Sequence, residues 1–97
     1  MLEICTAVAT KSQAEKMAAA LIENKFVACV SFWKVTSIYR WKDEVHKAGE
    51  WLLCAKTSEK LGKKAEKKLR ELHSYKMPVI TITKVKTDKN VEKWVNE

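Results

Sequence analysis

Two long apolar stretches separated by a short polar one constrain the fold of this chain more than any other feature. Residues 26–40, FVACVSFWKVTSIYR, and residues 49–57, GEWLLCAKT, are rich in the β-branched and aromatic residues that favour strands. The polar segment WKDEVHK between them predicts a reversal, so we expect a long antiparallel hairpin. Its tip should lie near Lys42, Asp43 and Glu44. Because the tip contains no glycine, we expect a loop longer than a two-residue turn.

The segments that flank this hairpin predict one strand and one helix on each side. Residues 2–9, LEICTAVA, are an apolar run of strand length, and VITITKVK at residues 79–86 is another. Ser12 and Glu15 stand at capping-box spacing, which predicts a first helix that begins at Ser12 and ends near Lys25. The apolar stripe of a second helix consists of Leu61, Ala65, Leu69 and Leu72.

The end of the chain predicts a last short helix. Pro78 lies beyond the second helix and favours an extended chain before the last strand. Asp88 can then cap a helix that carries Val91, Trp94 and Val95 on one side. The order β-α-β-β-α-β with a terminal helix predicts one α+β domain over residues 1–97. It is the ferredoxin-like sandwich, a four-stranded antiparallel sheet with two helices on one face.

The alternation of side chains along the predicted strands places apolar residues on both faces of the sheet. The first strand offers Ile4, Thr6 and Val8 to one side and Cys5, Ala7 and Ala9 to the other. The third strand offers Trp51, Leu53 and Ala55 opposite Leu52 and Cys54. We therefore expect the free sheet face to pack against another subunit in a homo-oligomer.

Composition narrows the class of protein. The formal charge is +7, and EKLGKKAEKKLRE at residues 59–71 concentrates lysine on one helix, which predicts a solvated face, with polyanion binding as the alternative. The three cysteines are widely spaced without a CxxC pair, which is typical of free thiols in a reducing compartment. No window is apolar and long enough to span a membrane. We expect a soluble, cytoplasmic protein without a membrane partner.

No pattern in the chain predicts catalysis or nucleic-acid recognition. It has no Ser-His-Asp order, HExxH sequence, glycine-rich phosphate loop or paired carboxylates, so we do not expect an enzyme. Acylphosphatases share the strand order but use an arginine-containing loop after the first strand, and TAVATKSQ has no arginine. The aromatic motifs of RNA-binding sheets are also missing, so nucleic acid is not an expected partner.

Several segments, in order and spacing, resemble the CutA divalent-cation tolerance family across nearly the entire chain. They are ICTA at residues 4–7, ACV at 28–30, SIYRWKDE at 37–44, AKT at 55–57 and the pattern His73-x-Tyr75-x-x-Pro78. The resemblance implies a ferredoxin-like protomer in a tight homotrimer, similar to PII-type trimers. It also implies a role in tolerance of copper and other divalent cations.

The resemblance implies a copper or divalent-cation site formed by Cys5 and His73. The second histidine that some family members carry is Leu72 here. Thiolate and imidazole together suit copper and zinc, although two ligands need a third from water or another subunit. The structural alternatives are a buried thiol for Cys5 and a helix C-terminal role for His73.

The sequence departs from the family pattern where charge would matter. Ser74 replaces a proline, Lys76 stands in a polar or acidic slot and Val79 replaces a glutamate. Asp43 replaces the glycine at the hairpin tip, and His46 occupies a position that is often acidic. We expect His46 to be exposed in the hairpin loop, with cation binding as the alternative.

The resemblance also implies an intersubunit cleft. The candidates for its lining are Tyr39, Trp41, Glu50, Lys56 and Tyr75. Cross-strand packing is the alternative role for the aromatic residues, and Lys56 could bind an anion or pair with Glu50. The sequence thus supports two functions: divalent-cation binding in a tolerance protein, or a PII-like trimeric binding or signalling module whose clefts accept a small anion or a protein partner.

Overall fold

A computed structural model describes all 97 residues and confirms the predicted order of elements. The elements are β1 (Leu2–Val8), α1 (Lys11–Glu23), β2 (Cys29–Trp41), β3 (Glu44–Thr57), α2 (Gly62–Leu72), β4 (Ile80–Lys84) and α3 (Lys89–Val95). The four strands form one antiparallel sheet in the order β2-β3-β1-β4. This α+β arrangement is the ferredoxin-like fold predicted from the sequence.

The β2–β3 hairpin is longer and tighter at its tip than the sequence predicted. Pairing runs without a break from Cys29 opposite Lys56 to Trp41 opposite Glu44, so only Lys42 and Asp43 lie in the turn. Their φ angles are 50° and 64°, the positive values that a two-residue primed turn requires. The prediction of a longer loop was therefore wrong, because a lysine and an aspartate adopt the conformation usually left to glycine.

The start of α1 also differs from the prediction. Thr10, not Ser12, is the N-cap, and its hydroxyl accepts a hydrogen bond from the Gln13 backbone N–H at 3.1 Å. Ser12 lies inside the first turn of the helix. Both hydroxyl groups are suited to capping, and the helix begins directly after Thr10. At the other end of the chain, Asp88 caps α3 as predicted and accepts from the Val91 N–H at 2.9 Å.

The core lies between one face of the sheet and helices α1 and α2, and we call this side of the sheet the covered face. It includes Ile4, Val8, Leu53 and Ala55, all of which have no exposed surface. The helices contribute Ala14, Met17, Leu21, Ala65 and Leu69 to the same cluster. This confirms the predicted alternation of β1 and β3, because period-two side chains of adjacent strands share a face.

The hairpin extends past the helices, and its far end is exposed on both sides. Ile38 and Val45 alternate onto the covered side but are 68% and 76% exposed. Polar residues can therefore occupy strand positions there, which explains why β3 begins at Glu44 instead of residue 49. None of the helices is both long and apolar enough to cross a membrane.

Candidate functional site

The side of the sheet without helices, which we call the open face, carries most of the candidate residues. Strand register places the following residues on it: Glu3, Cys5, Ala7, Cys29, Ser31, Trp33, Tyr39, Trp41, Glu50, Leu52, Cys54, Lys56 and Thr81. Its middle row, Thr81-Cys5-Cys54-Ser31, is polar or thiol-bearing. The prediction of an apolar face is correct only for the part around Leu52 and Trp33.

His73 is fixed by hydrogen bonds that hold the segment after α2 against the end of β1. The Tyr75 backbone N–H donates to Nδ1 of His73 at 3.2 Å, so the proton of a neutral ring lies on Nε2. Nε2 is 3.1 Å from the Ala7 carbonyl oxygen and 3.0 Å from the Thr6 hydroxyl. The Thr6 hydroxyl in turn donates to the Val79 carbonyl at 2.7 Å. Both ring nitrogens are thus engaged within the chain.

Burial favours the neutral form of the His73 imidazole. Loss of hydration lowers its pKa below the ordinary 6.5, while the Ala7 carbonyl and the Glu50 carboxylate oppose that shift. The ring bonds to β1, although the His73 backbone N–H also closes α2 by donating to the Leu69 carbonyl at 2.9 Å. A cation could bind this imidazole only if one of these hydrogen bonds were given up.

Cys5 lies on the other side of β1 from His73. Its neighbour Thr6 points to the covered face and contacts His73, so the Cys5 thiol points to the open face. There its Sγ lies 2.9 Å from Sγ of Cys54, and the Glu3 carboxylate is 3.7 Å from Cys54. The structure does not bring Cys5 and His73 together within one chain, and no three His, Cys, Asp or Glu side chains form a metal-binding group.

A pocket on the open face brings together four of the five residues predicted for the cleft. Tyr39, Trp41, Glu50 and Tyr75 line a cavity of about 590 Å³ between the hairpin and the segment after α2. The Tyr75 hydroxyl donates to the Glu50 carboxylate at 2.8 Å. Burial, with this carboxylate, raises the pKa of Tyr75 to about 12. The pocket therefore combines aromatic walls with one carboxylate that already has a hydrogen-bond donor.

Lys56 and His46, the remaining candidates, lie outside the pocket. The Lys56 ammonium is 3.9 Å from the Glu3 carboxylate, so Glu3 and not Glu50 is its partner. The His46 ring stacks on Tyr39 with centroids 5.4 Å apart, and its Nε2 lies 3.7 Å from the Glu44 carboxylate. His46 is exposed as predicted, although it lies in strand β3 and not in a loop.

Three kinds of contributors to this site were not predicted from the sequence. Arg40, Met77 and Val79 also line the pocket. Thr6 positions His73, and nothing local in the sequence indicates that contact between residues far apart in the chain. Cys54 contacts Cys5. This contact could have been predicted by aligning β1 with β3 residue by residue, because the register places the two cysteines opposite each other.

Comparison with known proteins links this arrangement to one family. The sequence model of the CutA1 divalent ion tolerance protein matches residues 2–97. The divalent-cation tolerance protein CutA of Thermotoga maritima is 37% identical over 65 residues. That match covers 67% of this chain and 64% of the Thermotoga protein, slightly less than two thirds of its length.

Solved structures agree over almost the whole chain. The PII-like protein CutA from Nostoc sp. PCC 7120, in apo form, superposes with a TM-score of 0.92 at 29% identity, covering 99% of this chain and 94% of that one. The periplasmic divalent cation tolerance protein CutA from Archaeoglobus fulgidus gives a TM-score of 0.92 at 25% identity. It covers 98% of this chain and 95% of the Archaeoglobus chain. The similarity thus includes the hairpin and the segment after α2 that together form the pocket.

Proposed function

The chain belongs to the CutA1 divalent ion tolerance family, and we propose that it acts in divalent-cation tolerance by binding such cations, with copper the first ion to test. The observation that carries this proposal is the family match over residues 2–97. The open face supports it chemically, because the half-buried Cys5 thiol lies there. Soft thiolates favour copper, and they also suit zinc.

We propose Cys5 and His73 as cation ligands in the assembled protein. The two residues differ in what each must give up before it can bind a cation. Cys5 is half-buried on the open face and can contribute its sulfur once the proton is lost. His73 must release the Ala7 carbonyl and the Thr6 hydroxyl before Nε2 can bind a cation. Because the two side chains lie on opposite sides of β1, a shared ion would have to join different copies of the chain.

Calorimetric titration of the reduced protein with Cu²⁺ and with Zn²⁺ tests these ligands. Zn²⁺ is included because it has no redox chemistry and cannot oxidise the thiols. We expect Cys5→Ala and His73→Ala each to weaken binding at least tenfold, while the matched controls Cys29→Ala and His46→Ala leave it unchanged. Unchanged binding in both Cys5→Ala and His73→Ala would reject the ligand assignment, and absence of binding in the native protein would reject cation binding altogether.

We also propose that the protein is a homotrimer. Large apolar side chains are exposed along the open face and beside it, including Trp33, Tyr39, Trp41, Met77 and Val79. Exposed apolar surface of this kind marks contacts between subunits. Light scattering during size-exclusion chromatography should give three times the 11.2 kDa chain mass. A mass of one chain at micromolar concentration would reject the trimer.

The pocket supports a second candidate, a PII-like module that binds a small anion or a protein partner. Its aromatic lining favours a ligand with an apolar part, and Arg40, which also lines the pocket, is a cationic residue that favours an anion. Titration with benzoate and with inorganic phosphate tests this proposal, with Arg40→Ala and Tyr75→Phe as pocket variants and Lys47→Ala as the control. Binding that is lost in Arg40→Ala but kept in Cys5→Ala would favour this candidate over cation binding.

We propose a cytoplasmic location and a single domain. The three thiols are all free, which suits a reducing compartment, and the match over residues 2–97 supports one structural unit. The Archaeoglobus relative is described as periplasmic, so location within the family requires measurement in cells. Fractionation of cells that express the tagged chain tests this, and recovery outside the cytoplasmic fraction would overturn it.

A further inference from the structure

Two thiols face each other across adjacent strands at the centre of the open face. Cys5 of β1 and Cys54 of β3 are directly opposite in the register, and their sulfur atoms are 2.9 Å apart. Neither cysteine is bonded to another. Cys29 lies on the same face but one row away, opposite Lys56, and so is outside this pair. The chain therefore contains one dithiol and one separate thiol.

The direct opposition of the two residues and the 2.9 Å between their sulfur atoms bring this dithiol close to the geometry of a disulfide. Directly opposed residues on antiparallel strands have Cβ atoms about 4.5–5.5 Å apart, closer in one of the two pair types. A disulfide needs Cβ atoms about 3.5–4.5 Å apart and Cα atoms about 4.4–6.8 Å apart. Strand β1 is held on both sides by β3 and β4, which limits other positions for Cys5. Bond formation therefore needs a small side-chain rotation and little backbone movement.

We infer that Cys5 and Cys54 form a site of reversible covalent modification, at which a peroxide oxidises the two thiols to a cross-strand disulfide. The Cys5 thiolate attacks one peroxide oxygen, which gives a sulfenic acid and releases the other oxygen as water. The Cys54 sulfur then attacks the Cys5 sulfur, the S–S bond forms and the hydroxyl leaves as a second water. Two thiols and one hydrogen peroxide thus give one disulfide and two waters. A dithiol reductant reverses the reaction.

The surroundings assign different roles to the two thiols. Cys54 is buried whereas Cys5 is only half-buried, so Cys5 is the thiol that a peroxide reaches first. Cys54 therefore acts second, after Cys5 has reacted. The Glu3 carboxylate oxygen lies 3.7 Å from the Cys54 sulfur and can accept its proton during the second step. Glu3 acts through Cys54 and is a positioning residue.

Thiol counting on the purified protein as it assembles tests this inference. The reduced protein is treated with hydrogen peroxide, unfolded, alkylated with N-ethylmaleimide and weighed by intact mass spectrometry. We expect one adduct per chain after oxidation, on Cys29, and adducts on all three cysteines after treatment with dithiothreitol. The matched control Cys29→Ala should still lose two alkylatable thiols on oxidation, whereas Cys54→Ala should lose none to an intramolecular disulfide.

Two further results bear on the inference. In Cys54→Ala, dimedone should trap the Cys5 sulfenic acid, because no second thiol is available to displace its hydroxyl. In Glu3→Gln, Cys5 and Cys54 should still form the disulfide, but more slowly, so dimedone should trap more of the Cys5 sulfenic acid than in the native protein. The circular dichroism of the reduced variant should match that of the reduced native protein. Retention of three alkylatable thiols in the oxidised native protein would overturn the inference, as would pairing that involves Cys29.

Discussion

The two faces of the sheet obtain their order in different ways. On the covered face, Ile4, Leu53 and Ala55 are fully buried by helices of the same chain. On the open face, Trp33, Tyr39 and Trp41 remain 46–47% exposed, and the middle row contains thiols and hydroxyl groups. The covered face is therefore complete within one chain. The open face combines reactive groups with apolar surface that only a partner can cover.

This difference teaches where stability and function reside. The core residues of the covered face pack tightly and have no exposed atoms through which to act, so their substitution should affect stability alone. The pocket, the dithiol and the pair formed by Glu3 and Lys56 all lie on the open face. Most of the proposed functional groups thus lie on the side of the sheet that the helices leave free, and His73, on the covered side, is the exception.

Truncation of leucine on each face tests the comparison with the largest expected effect. Leu53→Ala should lower the free energy of unfolding by about 2–5 kcal/mol, because it leaves a cavity in the core. Leu52→Ala, its neighbour on the open face, should cost about 1 kcal/mol within the chain, since Leu52 is only half-buried. Urea unfolding followed by circular dichroism measures both.

The same pair of variants reveals whether another copy covers the open face. A larger loss for Leu52→Ala with an unfolding midpoint that rises with protein concentration would indicate contacts between chains. Equal losses at every protein concentration would contradict the distinction between the faces. A loss below about 1 kcal/mol for Leu53→Ala would contradict the burial of Leu53 in the core.

A threonine on each face gives the next largest contrast. Thr6→Val keeps the side-chain shape but removes the hydroxyl that serves both His73 and the Val79 carbonyl, so it should cost about 1–3 kcal/mol. Thr81→Val on the open face is the matched control, because Thr81 is exposed and should tolerate the change within about 0.5 kcal/mol. Chemical unfolding measures both, and equal losses would contradict the role assigned to Thr6.

The covered face was the easier one to predict from the sequence. Period-two alternation in β1 and β3 and the apolar stripes of the helices assign core positions such as Ile4 and Leu53 from local pattern alone. The contact between Thr6 and His73 joins residues 67 positions apart, so only the folded chain determines it. Register likewise decides that Cys5 meets Cys54, because a shift of one residue moves every side chain to the other face.

The two histidines extend the comparison to pH. Because burial lowers the pKa of His73, the ring is neutral in both folded and unfolded chains well above pH 6.5, and its contribution to stability is complete there. As the pH falls below 6.5, the unfolded chain takes up the proton first, so the free energy of unfolding falls until the lower folded-state pKa is reached. Chemical unfolding at pH values between about 7.5 and about 4.5, which include the ordinary pKa range of histidine, measures this loss of free energy.

Two variants separate the histidines in that measurement. His73→Gln should remove part of the acid-induced loss, whereas His46→Gln, on the exposed hairpin, should keep it. Proton NMR of the His73 ring should show a midpoint below 6.5 with the proton on Nε2 at neutral pH. A midpoint above 6.5 would contradict the assigned burial and its hydrogen bonds.

The hairpin tip belongs to neither face, and the smallest effect is expected there. Asp43 has a φ of 64°, a conformation that costs most residues about 1–2 kcal/mol, aspartate less and glycine nothing. Asp43→Gly should therefore raise the free energy of unfolding by a few tenths of a kcal/mol, and Asp43→Ala should lower it. Thermal unfolding of both variants measures the difference. If Asp43→Ala were as stable as Asp43→Gly, Asp43 would not have a positive φ. The chain would then turn through a loop longer than two residues, as the absence of glycine at the tip predicted.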